Sequence, residues 1–346
     1  TAETPTDTPA EQDAPQEMTA EEQAEARRYG RVTLTCSLAD SAIDITYLAI
    51  IAFLFARPID AWLAGFDLFA GSPPYLRLVA LVGIVIGIHV CVSAPLSFFA
   101  GFVVEHKFGL SNQTIWRWLR NWALRNALAI GFGLVLYVGL FAIIWHTGTY
   151  WWLVAAAAFF VVNVVLGQLA PVLIMPLFHK IERLDNPELM DRMTQLADGT
   201  GLTIEGVYRL GLSADTSKAN AMLAGLGPTR RVLMGDTLLE KFSAEEIDVI
   251  FAHEIGHHVH RHIRKMIAAG VVWSLLGFWI CDQLIRLWTG GEVGAAVPPS
   301  ALPLLMFAMT LFMLLLERCR HDQPALRRHA IATRWCGPKT DRRIAR

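Results

Sequence analysis

What most limits the folds open to this chain is a set of long apolar runs, each near the roughly 20 residues needed to cross about 30 Å of hydrocarbon. Six are recognisable, approximately Leu34 to Phe55, Leu78 to Val104, Asn126 to Trp145, Trp151 to Met175, Met266 to Trp288 and Val297 to Leu316. Composition agrees: 54% hydrophobic and 18% charged residues with a mean hydropathy of +0.40 lie outside the soluble globular range. The expected fold class is a polytopic α-helical membrane protein of about six spans. The first run is the most polar. Its Asp40 and Asp44 share one helix face, and either line a wet interior or sit at the interface below the span.

Basic residues in the short connections set an orientation. Arg27, Arg28 and Arg31 precede the first run, Lys107, Arg117, Arg120 and Arg125 follow the second, and Arg261, Arg264 and Lys265 precede the fifth, whereas the alternate loops hold only Arg57 and Arg77. With six spans every basic segment falls on one side, which the positive-inside rule makes cytoplasmic, in a bacterial inner membrane or an endoplasmic reticulum. The Asn112-Gln113-Thr114 sequon falls on that side and reads as an unmodified loop. The chain then divides into an acidic tail (1–30) expected to be disordered, four spans (31–175), a catalytic region with a hairpin (176–265), two spans (266–316) and a basic tail (317–346). The net charge of −1 makes no case for nucleic acid, and five cysteines without a CxxC pair make none for a disulfide framework or zinc ribbon.

Chemistry concentrates in the one long non-membrane stretch. Ser243-Ala244-Glu245-Glu246 is a capping box, and the spacing of Ile247, Ile250, Phe251, Ile255, Val259 and Ile263 predicts an amphipathic helix after it. Along that helix stands His253-Glu254-Ile255-Gly256-His257. Imidazoles four residues apart lie about 40° apart on a helix and reach one metal, and the carboxylate between them can take a proton from water. His253 and His257 are therefore candidate zinc ligands and Glu254 the candidate general base. The motif arises by chance about 0.02 times in such a chain. His258, His260 and His262 fall on other faces and read as ordinary polar groups.

Upstream, Asn220 to Leu226 and Arg231 to Met234 flank Gly227-Pro228, which predicts a hairpin. Its Asn220–Ala221 strand is either a sheet edge on which a peptide substrate pairs or a brace for the helix.

Several of these segments together resemble a family. Glu105-His106-Lys107-Phe108-Gly109-Leu110-Ser111-Asn112, Pro176-Leu177-Phe178, Asn220-Ala221, Gly235-Asp236-Thr237-Leu238-Leu239 and His253 to His258 are similar to the type I CAAX prenyl proteases and their bacterial relatives, integral-membrane zinc endopeptidases, over roughly residues 30 to 316. The resemblance implies a ring of membrane helices around a water-filled chamber and an α+β catalytic region. It also implies one Zn2+ on His253 and His257, Glu254 as base, Asn220 and Ala221 beside the substrate backbone, and a peptide or protein substrate with a prenylated C-terminus in some members. Heat-shock-type membrane metalloproteases are the neighbouring alternative; a transporter finds no internal repeat in its support.

Two departures stand out. The family pattern has seven spans, and a third ligand, a Glu four residues before an Asp, followed later by a His-Pro pair. Here the last run is followed by Glu317 and, five residues on, Asp322, with no His-Pro anywhere, which fits a native basic tail or a shifted frame. Asp282 lies in a span, Glu292 on the far side and Asp341 near the end, so Glu317 is the expected third ligand. Asp322 lies about 140° from it on a helix and cannot support it as the family's Asp would. Weak zinc binding and slow cleavage are expected, or at the limit a catalytically impaired membrane scaffold.

Overall fold

The computed structural model describes residues 19–69, 74–200, 202–225, 230–259 and 262–321. α1 (Ala20–Ile50) passes through a π-helical turn into α2 (Ala56–Ala64), and α3 (Tyr75–Phe98) passes through another into α4 (Glu105–Lys107). α5 (Ile115–Thr147) is joined by a 3-10 turn to α6 (Trp151–Leu169), which continues through a third π turn, containing Pro171, to α7 (Met175–Phe178). The sheet-bearing region follows as β1 (Ile181–Arg183), α8 (Pro187–Ala197), β2 (Gly206–Leu210), β3 (Ala221–Ala224), β4 (Arg231–Gly235), α9 (Asp236–Lys241) and α10 (Ala244–Val259). α11 (His262–Thr289) and α12 (Leu302–His321) return the chain to the bundle.

Among the described residues, five helical paths are long and apolar enough to cross a membrane: Ala20–Ala64, Tyr75–Lys107, Ile115–Phe178, Met266–Thr289 and Pro299–Glu317. The third has 64 residues. Drawn straight it would reach about 96 Å, three hydrocarbon thicknesses. Instead Gly148, at φ 57°, ends α5, and α6 turns back to pack along it. The six apolar runs thus occupy five continuous helical paths, two of them as arms of this hairpin.

Two boundaries move. The acidic tail was expected through residue 30, but α1 begins at Ala20, because Thr19 and Glu22 form a capping box: Glu22 N–H donates to Thr19 Oγ1 (3.3 Å) and Thr19 N–H to Glu22 Oε2 (2.9 Å). At the other end α12 carries on through Glu317 to His321, so the basic segment starts as helix. Residues 1–18 and 322–346 lie outside the described residues.

The bundle has two ends. At one, Asp60 pairs with Arg77 (2.8 Å) and accepts from Ser300 N–H, Trp145 donates to the Val297 carbonyl, and Arg57 lies over the Trp288 ring. At the other end the loop that follows α4 meets the segment between β2 and β3 of the sheet. α6 and α11 pack along each other, with Ala155 and Ala156 fully covered and Ser274 Oγ donating to the Ala156 carbonyl at 2.9 Å. Asp282, inside a span, is occupied there by Trp151 Nε1 (2.8 Å) and Arg286 Nε (2.7 Å). Asp44, interior or interfacial by sequence, pairs with His89 of α3 at 2.7 Å beside a cavity also lined by Tyr47 and Tyr137.

The sheet runs β1-β2-β4-β3; β2 and β4 are parallel and the outer strands antiparallel to them. Val207, Val232 and Met234 point to one face, which is closed by Met193 of α8 and by Phe251 and Ile255 of α10.

Candidate active site

α10 starts where its capping box places it: Ser243 N–H donates to Glu246 Oε2 (2.9 Å) and Glu246 N–H to Ser243 Oγ (3.3 Å). Ile247, Phe251 and Ile255, four residues apart, are 6%, 1% and 5% exposed and fasten one helix face to the sheet. His253 and Glu254 lie off that face, the first exposed and the second half-buried. His257 stands one turn beyond His253 on the same continuous helix, though its side chain, like those of His258, His260 and His262, lies outside the described residues. Ile263, expected to extend the stripe, belongs to α11. Arg192 of α8 fixes α10 from behind through Asp248 (2.6 Å) and the Ala244 carbonyl.

The hairpin is present, with Ala221 opposite Met234 and Ala224 opposite Arg231, and Gly225 at φ 95° begins its turn. Residues 226–229 lie outside the described residues. β3 is the terminal strand of the sheet and packs against α10. Asn220 is exposed just before the strand and its carbonyl accepts from Gly235 N–H at 2.8 Å; Ala221 is partly covered against the core under α10. Edge strand and His253 helix are therefore neighbours. Glu317 is exposed on α12, which runs from the Asp60 end toward the sheet end. Among the described residues no three His, Cys, Asp or Glu side chains converge on one point. Two imidazole positions on successive turns, off the buried face and with a carboxylate between them, are the donor set zinc takes.

What reading the sequence missed is how the sheet-bearing region is fastened to the bundle. The segment between β2 and β3 lies against the loop that follows α4: Asn112 N–H donates to the Asp215 carbonyl, Asn112 Nδ2 to Ser213 (2.8 Å), Ser217 N–H and Thr216 Oγ1 to Leu110, and Ser217 Oγ to Gly109. Two buried carboxylates organise it. Asp236 accepts from the N–H groups of Leu212 (2.8 Å), Ser213 (2.9 Å) and Thr237 (2.9 Å) and from Ser213 Oγ (2.6 Å). Burial alone would raise its pKa, but these donors outweigh it and hold it below the usual carboxylate range. Asp215 takes Arg117 Nη2 (3.0 Å) and Nε together with Gln113 Nε2 (3.0 Å); burial again pushes upward, and Arg117 chiefly brings it below normal. Gly235 is closely surrounded: a Cβ there would lie 2.9 Å from Leu212 Cδ1 and 3.1 Å from the Asn220 carbonyl, so a side chain would force its neighbours to shift. Only the grouping of Glu105–Asn112 with Gly235–Leu239 hinted at this in the sequence.

Two family models match. Residues 3–180 match "CAAX prenyl protease N-terminal, five membrane helices", and residues 183–323 match "Peptidase family M48". CAAX prenyl protease 1 of Saccharomyces cerevisiae is 31% identical over 211 residues, 60% of this chain and 46% of its own. The uncharacterized metalloprotease YhfN of Bacillus subtilis is 28% identical over 212 residues, 61% of this chain and 50% of its own. The matched part is thus about half the length of these relatives. The crystal structure of S. mikatae Ste24p, at 24% identity, shares the fold with a TM-score of 0.72, covering 88% of this chain and 74% of that one. With its membrane half and its sheet-bearing half each accounted for, the chain belongs to peptidase family M48, with the CAAX prenyl protease type of N-terminal membrane region.

Proposed function

We propose that the protein is a membrane-embedded zinc metalloendopeptidase of CAAX-protease type, with His253, His257 and Glu317 as metal ligands and Glu254 as general base. The observation that supports it is that the edge strand β3 packs against α10, the helix that carries His253 and Glu254. An extended peptide adding to β3 meets backbone groups indifferent to its side chains, and its scissile bond runs along α10. Zinc, when bound, polarises the carbonyl and makes water a stronger acid. Glu254 takes the proton from the attacking water and delivers it to the leaving amide nitrogen. Half-burial suits this role, since the carboxylate is both shielded and reachable. The basic-loop bias supports a cytoplasmic catalytic region, and the family resemblance makes prenylated C-terminal peptides the first substrate class to try.

Zinc per chain and hydrolysis of a prenylated peptide, measured on the full chain in detergent, test this. Glu254→Gln should keep metal and membrane insertion while hydrolysis falls by several orders of magnitude; a purified variant that still cleaves refutes the mechanism. Glu317→Gln should weaken zinc retention through chelator dialysis, and indifference removes Glu317 from the ligand set. A second reading, a scaffold with an impaired site, is favoured by Asp322 standing five rather than four residues after Glu317. Stoichiometric zinc with turnover rejects it.

A further inference from the structure

We propose that Lys218, Glu105 and Tyr29 form a positioning clamp that sets where the substrate edge β3 lies relative to the membrane bundle, an inference that rests on the peptidase reading. Lys218 Nζ pairs with Glu105 Oε2 at 2.8 Å and donates to Tyr29 Oη at 3.1 Å, while Tyr29 Oη donates to Glu105 Oε1 at 2.7 Å. The triangle is closed and joins three elements far apart in sequence: α1, α4 and the approach to β3. The main chain of Lys218 is held as well, its carbonyl accepting from Thr237 Oγ1 at 2.9 Å. Two residues on, the Asn220 carbonyl is held by Gly235 N–H, and at Ala221 the edge strand begins. At about 3.3 Å per extended residue, the ammonium's backbone anchor is roughly 10 Å from the first strand residue.

The energetics favour geometry over stability as its role. With side-chain exposures of 43% and 21%, Lys218 and Glu105 form a pair of the kind that contributes at most about 1 kcal/mol. Yet three independent contacts fix the segment that carries the strand, and an edge free to shift pairs less well with an extended peptide, which weakens substrate binding and leaves the chemical step unchanged. Burial lowers the affinity of Lys218 for its proton, but the hydrogen bonds to Glu105 and Tyr29 more than offset this, so the ammonium persists at neutral pH. α1 also packs along α12, so the clamp ties the edge strand to the helix that carries Glu317.

The test compares the full chain in nanodiscs with Glu105→Gln, Lys218→Met, Lys218→Arg and the exchange Glu105→Lys with Lys218→Glu. KM and kcat for an extended peptide are read beside amide exchange at residues 219–224. The clamp requires KM to rise about tenfold in Glu105→Gln and Lys218→Met with kcat within about threefold. Exchange at 219–224 should speed up while α3 is unchanged, and Lys218→Arg and the charge exchange should recover part of both. A lower kcat at constant KM, the signature of a smaller folded fraction, overturns the proposal, as does unchanged exchange at 219–224. If the parent chain cleaves nothing, the peptidase reading fails by itself, and the exchange at 219–224 still decides the clamp.

Discussion

Replacing Asp215 by Asn keeps the shape of the side chain and removes its charge from the junction between sheet and bundle. The carboxylate is 5% exposed and accepts from Arg117 and Gln113. Breaking a buried ion pair costs about 3–5 kcal/mol because the partner is left charged and unpaired. Arg117, however, is 37% exposed and can be rehydrated, and the Asn oxygen keeps one acceptor, so about 2–3 kcal/mol is the expected loss. At about 1.4 kcal/mol per factor of ten, that raises local opening of the junction roughly 30- to 100-fold. The amides to read are those of Asn112, Thr216 and Ser217, whose acceptors lie in or against the contact of residues 109–112 with 211–217. Hydrogen exchange at neutral pH, with the α6–α11 amides as an internal standard, measures it directly. Protection unchanged within about threefold would refute the reasoning that Asp215 holds the two parts together.

Other consequences follow from the same contacts. Phe251→Ala, at 1% exposure between α10 and the sheet, should cost about 3–5 kcal/mol in a urea titration of the full chain; a loss under about 1 kcal/mol would mean that α10 is seated otherwise. Gly235→Ala forces a methyl against Leu212 and the Asn220 carbonyl and should cost about 1–3 kcal/mol, read in the same titration, where an unchanged midpoint counts against it. Asp215 and Asp236 have depressed folded pKa values, so their stabilisation is complete above the unfolded value of about 3.9 and is lost as pH falls through the lower folded values. Protection of residues 211–218, corrected for intrinsic rates, should hold from pH 7 to about 5 and fall below about 4; a loss already centred near pH 6 would implicate a histidine instead. Val249, 70% exposed on α10, gives an orientation test: in a cysteine-free background Val249→Cys should resist an impermeant thiol reagent in intact cells, and labelling would place the catalytic region outside.

The sequence by itself determined what depends on local periodicity. Apolar length alone marks the spans, Ser243 and Glu246 mark the start of α10, and four-residue spacing puts His253 and His257 on successive turns, because a helix repeats every 3.6 residues whatever surrounds it. The hairpin was legible for the same reason, Gly227-Pro228 standing between two short runs. The start of α1 was legible too, in Thr19 and Glu22, but was masked by the acidic composition around it. Only the tertiary structure decided that β3 lies at the sheet edge next to α10, since strand order depends on long-range pairing that no local pattern encodes. It also gave roles to Glu105, Asp215, Lys218 and Asp236. Their partners lie 76, 98, 113 and 24 residues away in Tyr29, Arg117, Glu105 and Leu212, and a charge's function is set by what the fold brings within about 3 Å of it.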